Sequence, residues 1–191
     1  MPRTRKTEAP GLKYTVPGMD ESVAGPVIEL LQDRLNALTD LHLTLKHVHW
    51  NVVGPHFIAV HLMLDPQVDA VRLMSDAVAE RIATLGGSPV GTPGALVAQR
   101  SWDDYSIGRD DAIAHLGALD VVYSGVIAAH RSAIEATEEP DPVTQDMLIE
   151  QSGQLEQFHW FVRAHLENAA GMLSTRSSKT ESGAARQARA S

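Results

Sequence analysis

The chain has no cysteine, which excludes disulfides and thiolate metal sites. It has no apolar run that reads as a membrane span and no signal-peptide pattern at its N-terminus. The expectation is a cytoplasmic protein with no membrane partner. A strand signal is also missing, and so is an internal repeat, which leaves helices as the building material. What remains is 191 residues, suited to one compact domain with a sizeable core.

The net charge of −8 hides a segregation. Residues 1–18 carry Arg3, Arg5, Lys6 and Lys13 against Glu8, a net +3. Residues 174–191 carry Arg176, Lys179, Arg186 and Arg189 against Glu181, again +3, so residues 19–173 hold −14. Two polar, basic tails, both expected to be mobile, thus flank an acidic body. The body attracts cations and the tails attract polyanions.

Within the body, apolar residues recur at three- and four-residue steps along four long segments. The first helix is expected from about Asp20–Pro26 to Val48–Asn51, with Asp20 as N-cap or a start nearer Gly25. The second runs from about Ala59 to Leu85, with Pro66 as a local objection, and Gly86-Gly87 ends it. Residues 86–109 hold five glycines and two prolines, so they read as a long crossover with a short helical piece at 95–102. The third helix spans about Asp110 to Ala136. The fourth starts at Asp141-Pro142, as N-cap and first turn, and continues to about Leu173. The fold class is all-α. Two helical hairpins joined by a long crossover describe a ferritin-like four-helix bundle.

The second helix carries the chemistry. At about 100° per residue, Asp65, Asp76 and Glu80 lie roughly 40°, 60° and 100° round from His61, so all four share one side. They form two i,i+4 pairs, His61/Asp65 and Asp76/Glu80. At about 1.5 Å per residue the pairs sit roughly 16 Å apart, too far for one metal ion with bonds of about 2 Å. A second, antiparallel copy of the helix would bring its Asp76/Glu80 opposite His61/Asp65. The spacing therefore predicts two metal sites across a two-fold interface. On the first helix, His42 and His49 are seven residues apart and share nearly the same face.

At HVHWNVVGPHF (47–57), HLMLD (61–65) and DAVAERI (76–82), the sequence closely resembles the Dps family, the mini-ferritin DNA-binding proteins from starved cells. The likeness extends to LGGSPVGTPG (85–94), SWDDYS (101–106) and FHWFVRAHLE (158–167), and is strongest toward actinobacterial members. It implies a hollow homo-dodecamer with two-iron ferroxidase sites between subunits. Carried over by motif, His49, His61 and Asp65 come from one subunit, and Asp76 and Glu80 from its neighbour. Trp50 lies beside the site, as electron donor or as packing. His42, His47 and His56 fall off the ligand positions.

The resemblance further implies ferrous iron as substrate, hydrogen peroxide as oxidant, and ferric iron stored in the cavity, which protects DNA. Acidic uptake pores lie near the start of the fourth helix, where Asp141, Asp146 and Glu150 stand. DNA is the expected second partner, bound non-specifically through Arg3, Arg5, Lys6, Lys13, Arg176, Lys179, Arg186 and Arg189, with association to the nucleoid. The alternative is a nucleoid-compacting protein whose iron chemistry is secondary. Glu156 and His159 form an E-x-x-H, but no second copy exists to complete a di-iron site inside the bundle.

Overall fold

The computed structural model describes residues 12–191. Residues 1–11, which include Arg3, Arg5 and Lys6, lie outside the described residues. The elements in order are α1 (Glu21–Asn51), β1 (Val52–Val53), α2 (Phe57–Thr84), α3 (Pro93–Gln99), β2 (Asp110–Asp111), α4 (Ala112–Thr137), α5 (Pro142–Ala164) and α6 (Glu181–Arg189). α1 packs on α2 and α4 on α5, and contacts between α1 and α4 and between α2 and α5 close the bundle.

The core follows the helical period. Leu31, Leu38, Leu41 and Leu45 of α1 meet Val60, Leu64, Val71, Val78 and Ile82 of α2, with Leu116, Leu119, Tyr123, Leu155 and Val162 opposite. Each such leucine or isoleucine contributes about 2 kcal/mol by leaving water. α4 is long and apolar enough to cross a membrane, but more than half of that stretch is buried against α1, α5 and α6. Its apolarity is that of a core helix.

α2 stops where the sequence predicts. Gly86 has φ +90°, and the N–H groups of Gly86 and Gly87 donate back to Ala83 and Ile82. A side chain at 86 would also strike the Tyr14 carbonyl, since an added Cβ lies 2.2 Å from it. The crossover is pinned to α1 by polar bonds. Asp40 accepts from Arg100 and from the Trp102 indole, both at 2.8 Å, and His47 Nε2 meets the Ile107 carbonyl at 2.9 Å.

The structure corrects four expectations. A short parallel pairing, Val52–Val53 with Asp110–Asp111, ties the α1–α2 turn to the start of α4. α5 ends at Ala164, about nine residues early, and the chain turns through Asn168 and Gly171 before Leu173. Residues 174–191 are not a free tail: they form α6, which packs on α4 through buried Ala184, Ala185 and Ala188. Val16 likewise packs against the core, so the N-terminal segment is already on the bundle before residue 18.

Candidate metal centre

α1 ends and α2 begins around a tight turn in which Gly54 adopts φ +92°. That turn lays His49 beside His61. Their rings stack with centroids 3.7 Å apart and planes 24° from parallel. His49 Nδ1 lies 3.2 Å from the His61 carbonyl, and His61 Nδ1 lies 3.0 Å from the His49 carbonyl. A carbonyl only accepts, so both Nδ1 atoms carry the proton. Each Nε2 is left with a free lone pair, the state an imidazole needs to bind a metal.

Asp65, one turn after His61, completes the group. One ligand atom from each of His49, His61 and Asp65 falls within 4.8 Å of the others. His49 is buried, while His61 and Asp65 are half-buried, so the cluster opens to the surface. Two imidazoles and a carboxylate, with no thiolate, fit a first-row divalent cation such as ferrous iron.

Lys46 already engages the carboxylate of the group. Its Nζ lies 3.2 Å from Asp65 Oδ1, and that hydrogen bond, ahead of the charges of His49 and His61, holds the Asp65 carboxyl below its ordinary range. The motif reading of the sequence does not include this lysine, although its place three residues before His49 is an available signal. One turn earlier on the same face, His42 is held below its usual value by burial first and then by Arg72 and Lys46.

Asp76 and Glu80 do not join this cluster within the chain. Both are exposed, on the outer face of α2. Large apolar side chains are exposed around the same face: Trp50 (70 %), Ile58 (57 %), Leu62 (59 %) and Leu73 (57 %). An exposed apolar patch rimmed by polar groups marks an interaction surface.

The remaining sequence candidates divide clearly. Asp141 is buried, caps α5 by accepting from Thr144, and takes two hydrogen bonds from Arg81 at 3.0 and 2.8 Å. Burial pushes its carboxyl up, but Thr144 and Arg81 outweigh that and hold it low. Within the chain it is a structural cap, with its carboxylate committed to Thr144 and Arg81. Asp146 and Glu150, one turn apart on α5, are both exposed. Glu156 pairs with Arg131, and His159 bonds Asp120 at 2.7 Å, so this E-x-x-H faces two separate partners. Burial raises Asp120, yet bonds from His159, Thr175 and Arg163 overcome it and keep it well below its ordinary value. His47 braces the crossover, and His56 occupies the N-cap position of α2 without a capping bond. Lys13, Arg176, Lys179 and Arg186 are exposed, while Arg189 pairs with Asp110 and Asp111.

Four long antiparallel helices with a long crossover and a His/carboxylate cluster define a protein of the ferritin-like class. Residues 28–172 match the ferritin-like domain family, Ferritin. A curated relative, the DNA protection during starvation protein of Mycolicibacterium smegmatis, is 59% identical over 176 residues, which cover 92% of this chain and 96% of that one. DpsA14 from Streptomyces coelicolor superposes with a TM-score of 0.85 at 68% identity, covering 86% of this chain and 98% of that chain. A Dps homologue from Halobacterium salinarum superposes at 0.78 with 28% identity, over 87% of this chain and 93% of that chain. The chain belongs to the Dps family of ferritin-like proteins, the DNA protection during starvation proteins.

Proposed function

We propose that this protein oxidises ferrous iron with hydrogen peroxide at sites shared between two chains, and stores the ferric product inside a hollow homo-dodecamer. The observation that carries the reading is the His49–His61–Asp65 cluster, open to a surface whose apolar side chains lack a partner among the described residues. A second chain laid antiparallel on α2 brings its Asp76 and Glu80 to the open side of the cluster. The combined site then offers two imidazoles and three carboxylates, enough for two ferrous ions.

The chain's residues do three things in this scheme. Nε2 of His49 and of His61 donate lone pairs, with ring orientation fixed by the carbonyl bonds. Asp65 and the neighbour's Asp76 and Glu80 supply negative charge, which favours the ferric product over the ferrous substrate. Lys46 leaves Asp65 when the ion arrives. Two ferrous ions give one electron each. The O–O bond of peroxide breaks, and with two protons both oxygens leave as water. Paired electron delivery avoids the hydroxyl radical that one-electron reduction would release, which protects DNA. Trp50, exposed beside the site, either donates a stray electron or packs in the interface.

Asp146 and Glu150, near the start of α5, form the acidic approach for iron; threefold repetition would raise the local cation concentration. Non-specific DNA binding through the basic ends is the second partnership, favoured by exposed Arg176, Lys179 and Arg186. In this reading the protein is cytoplasmic and nucleoid-associated.

The test of the iron reading is a His61→Ala, Asp65→Ala double variant. It is expected to keep its oligomeric size by light scattering and to lose most peroxide-driven iron oxidation, followed by ferric absorbance. Unchanged oxidation would sink the site assignment.

A further inference from the structure

The C-terminal segment is basic, as a DNA-binding tail should be, but it is folded onto acidic neighbours. Opening the protein's own hold on it would change how it meets a polyanion. This inference rests on the DNA-binding reading above.

α6 has nine residues, too few to persist alone in water. It exists because it is docked. Its N-terminus is capped by the Thr180 side chain, which accepts from Gly183 N–H. Glu181 accepts from the backbone N–H and the hydroxyl of Ser106, at 2.7 and 2.8 Å. In the middle, Ala184 and Ala188 lie directly on Gly117 of α4. An added Cβ at 117 would stand 2.7 Å from the Ala184 carbonyl and 2.9 Å from Ala188 Cβ. At the far end Arg189 pairs with Asp110 and, at 3.3 Å, with Asp111. The hinge is also defined. Thr175 is buried and donates to Asp120 at 2.6 Å, so the anchored chain ends there and the detachable part starts at Arg176.

The contact is weakly held. Three alanines bury little apolar area. The ion pairs of Arg189 are partly exposed, so salt screens them. Arg186 points away from Ala184 and Ala188, each two residues off and so about 160° round the helix the shorter way. Arg176, Lys179 and Arg186 make no ion pair among the described residues. While α6 is docked, Asp110 and Asp111 hold the Arg189 guanidinium and offset its charge toward an approaching phosphate.

We propose that α6 is a clasp. Docked, it holds Arg189 in the Asp110/Asp111 pair and restrains the basic segment. Released, residues 176–191 form an extended cationic strand that follows a phosphodiester backbone. Phosphates and the two aspartates compete for the same guanidinium, so DNA binding and clasp opening are linked. Repeated over the copies of an oligomer, a weak preference becomes a multivalent one.

The test uses the full chain and duplex DNA of random sequence. Gly117→Ala wedges α6 off α4 while improving α4 as a helix. Asp110→Asn removes one claim on Arg189 yet keeps an oxygen for the Asp111 N–H bond. Both variants are expected to bind DNA several-fold more tightly than the parent at one fixed, moderate salt concentration, by fluorescence anisotropy. Hydrogen exchange is expected to show amides 184–190 protected in the free protein and exposed once DNA is added. Equal affinity of parent and variants, or amides that stay protected on DNA, would overturn the clasp and make docked α6 itself the binding surface. Absence of DNA binding even in the opened variants would overturn the DNA-binding reading, and the clasp with it.

Discussion

At the scale of single residues, the donor set is legible in the sequence and its preparation is not. The i,i+4 spacing places His61 and Asp65 on one face, and the HWN motif supplies His49. No spacing announces that the two histidines lock each other's tautomer through main-chain carbonyls, because that depends on the angle between two helices. Lys46 is the residue with the sharpest consequence. It already bonds Asp65, so under the proposed function an incoming cation has to displace it. Lys46→Gln is expected to tighten binding of a redox-inert divalent ion such as zinc several-fold, by anaerobic calorimetry; an unchanged affinity would show that the lysine does not compete. His130 makes a second test. It is fully buried, and burial lowers it to about 4, despite a bond to Gln151. The unfolded chain binds a proton at His130 from about pH 6.5 downward, while the folded chain does not until about pH 4. Its neutral form therefore supports folding fully above pH 6.5, and that support fades as pH falls toward 4, by on the order of 3 kcal/mol in all. A His130→Gln variant is expected to show a shallower loss of urea resistance between pH 7 and 5 than the parent; parallel curves would assign the acid limb to other groups.

At the scale of elements, the four long helices follow from hydrophobic period, and Gly86-Gly87 from turn chemistry. The departures share a cause. The N-cap role of Asp141 is read from Asp141-Pro142 and holds, but its ion pair is not, because its partner, Arg81, is 60 residues away in sequence. α6 reads as a loose tail because Ala184, Ala185 and Ala188 are too small to register as an apolar stripe, and their socket depends on Gly117. α5 reads as longer because Phe161, Leu166 and Leu173 keep a helical rhythm past the point where the chain turns. Paired variants separate the two acidic roles on α5. Asp141→Ala removes a cap and leaves Arg81 unpaired, so it should cost about 1–3 kcal/mol in urea denaturation. Asp146→Asn should leave stability within about 0.5 kcal/mol and instead slow iron uptake at low ferrous concentration. Identical uptake rates would make the acidic start of α5 an ordinary solvated face.

At the scale of the whole molecule, helix spacing by itself points beyond a single chain, because His61/Asp65 and Asp76/Glu80 share a face but lie too far apart to cooperate. The fold keeps them apart and surrounds them with exposed Ile58, Leu62 and Leu73. Under the proposed function catalysis is conditional on assembly, and a mixing experiment reads that condition directly. One variant, His61→Ala with Asp65→Ala, keeps only the Asp76/Glu80 half. The other, Asp76→Ala with Glu80→Ala, keeps only the His61/Asp65 half. Each alone should be inactive. Denatured together in equal amounts and refolded, they form mixed pairs in which one of the two sites regains all its ligands, so about one quarter of the parental oxidation rate should return. A mixture as inactive as its components would contradict the shared site.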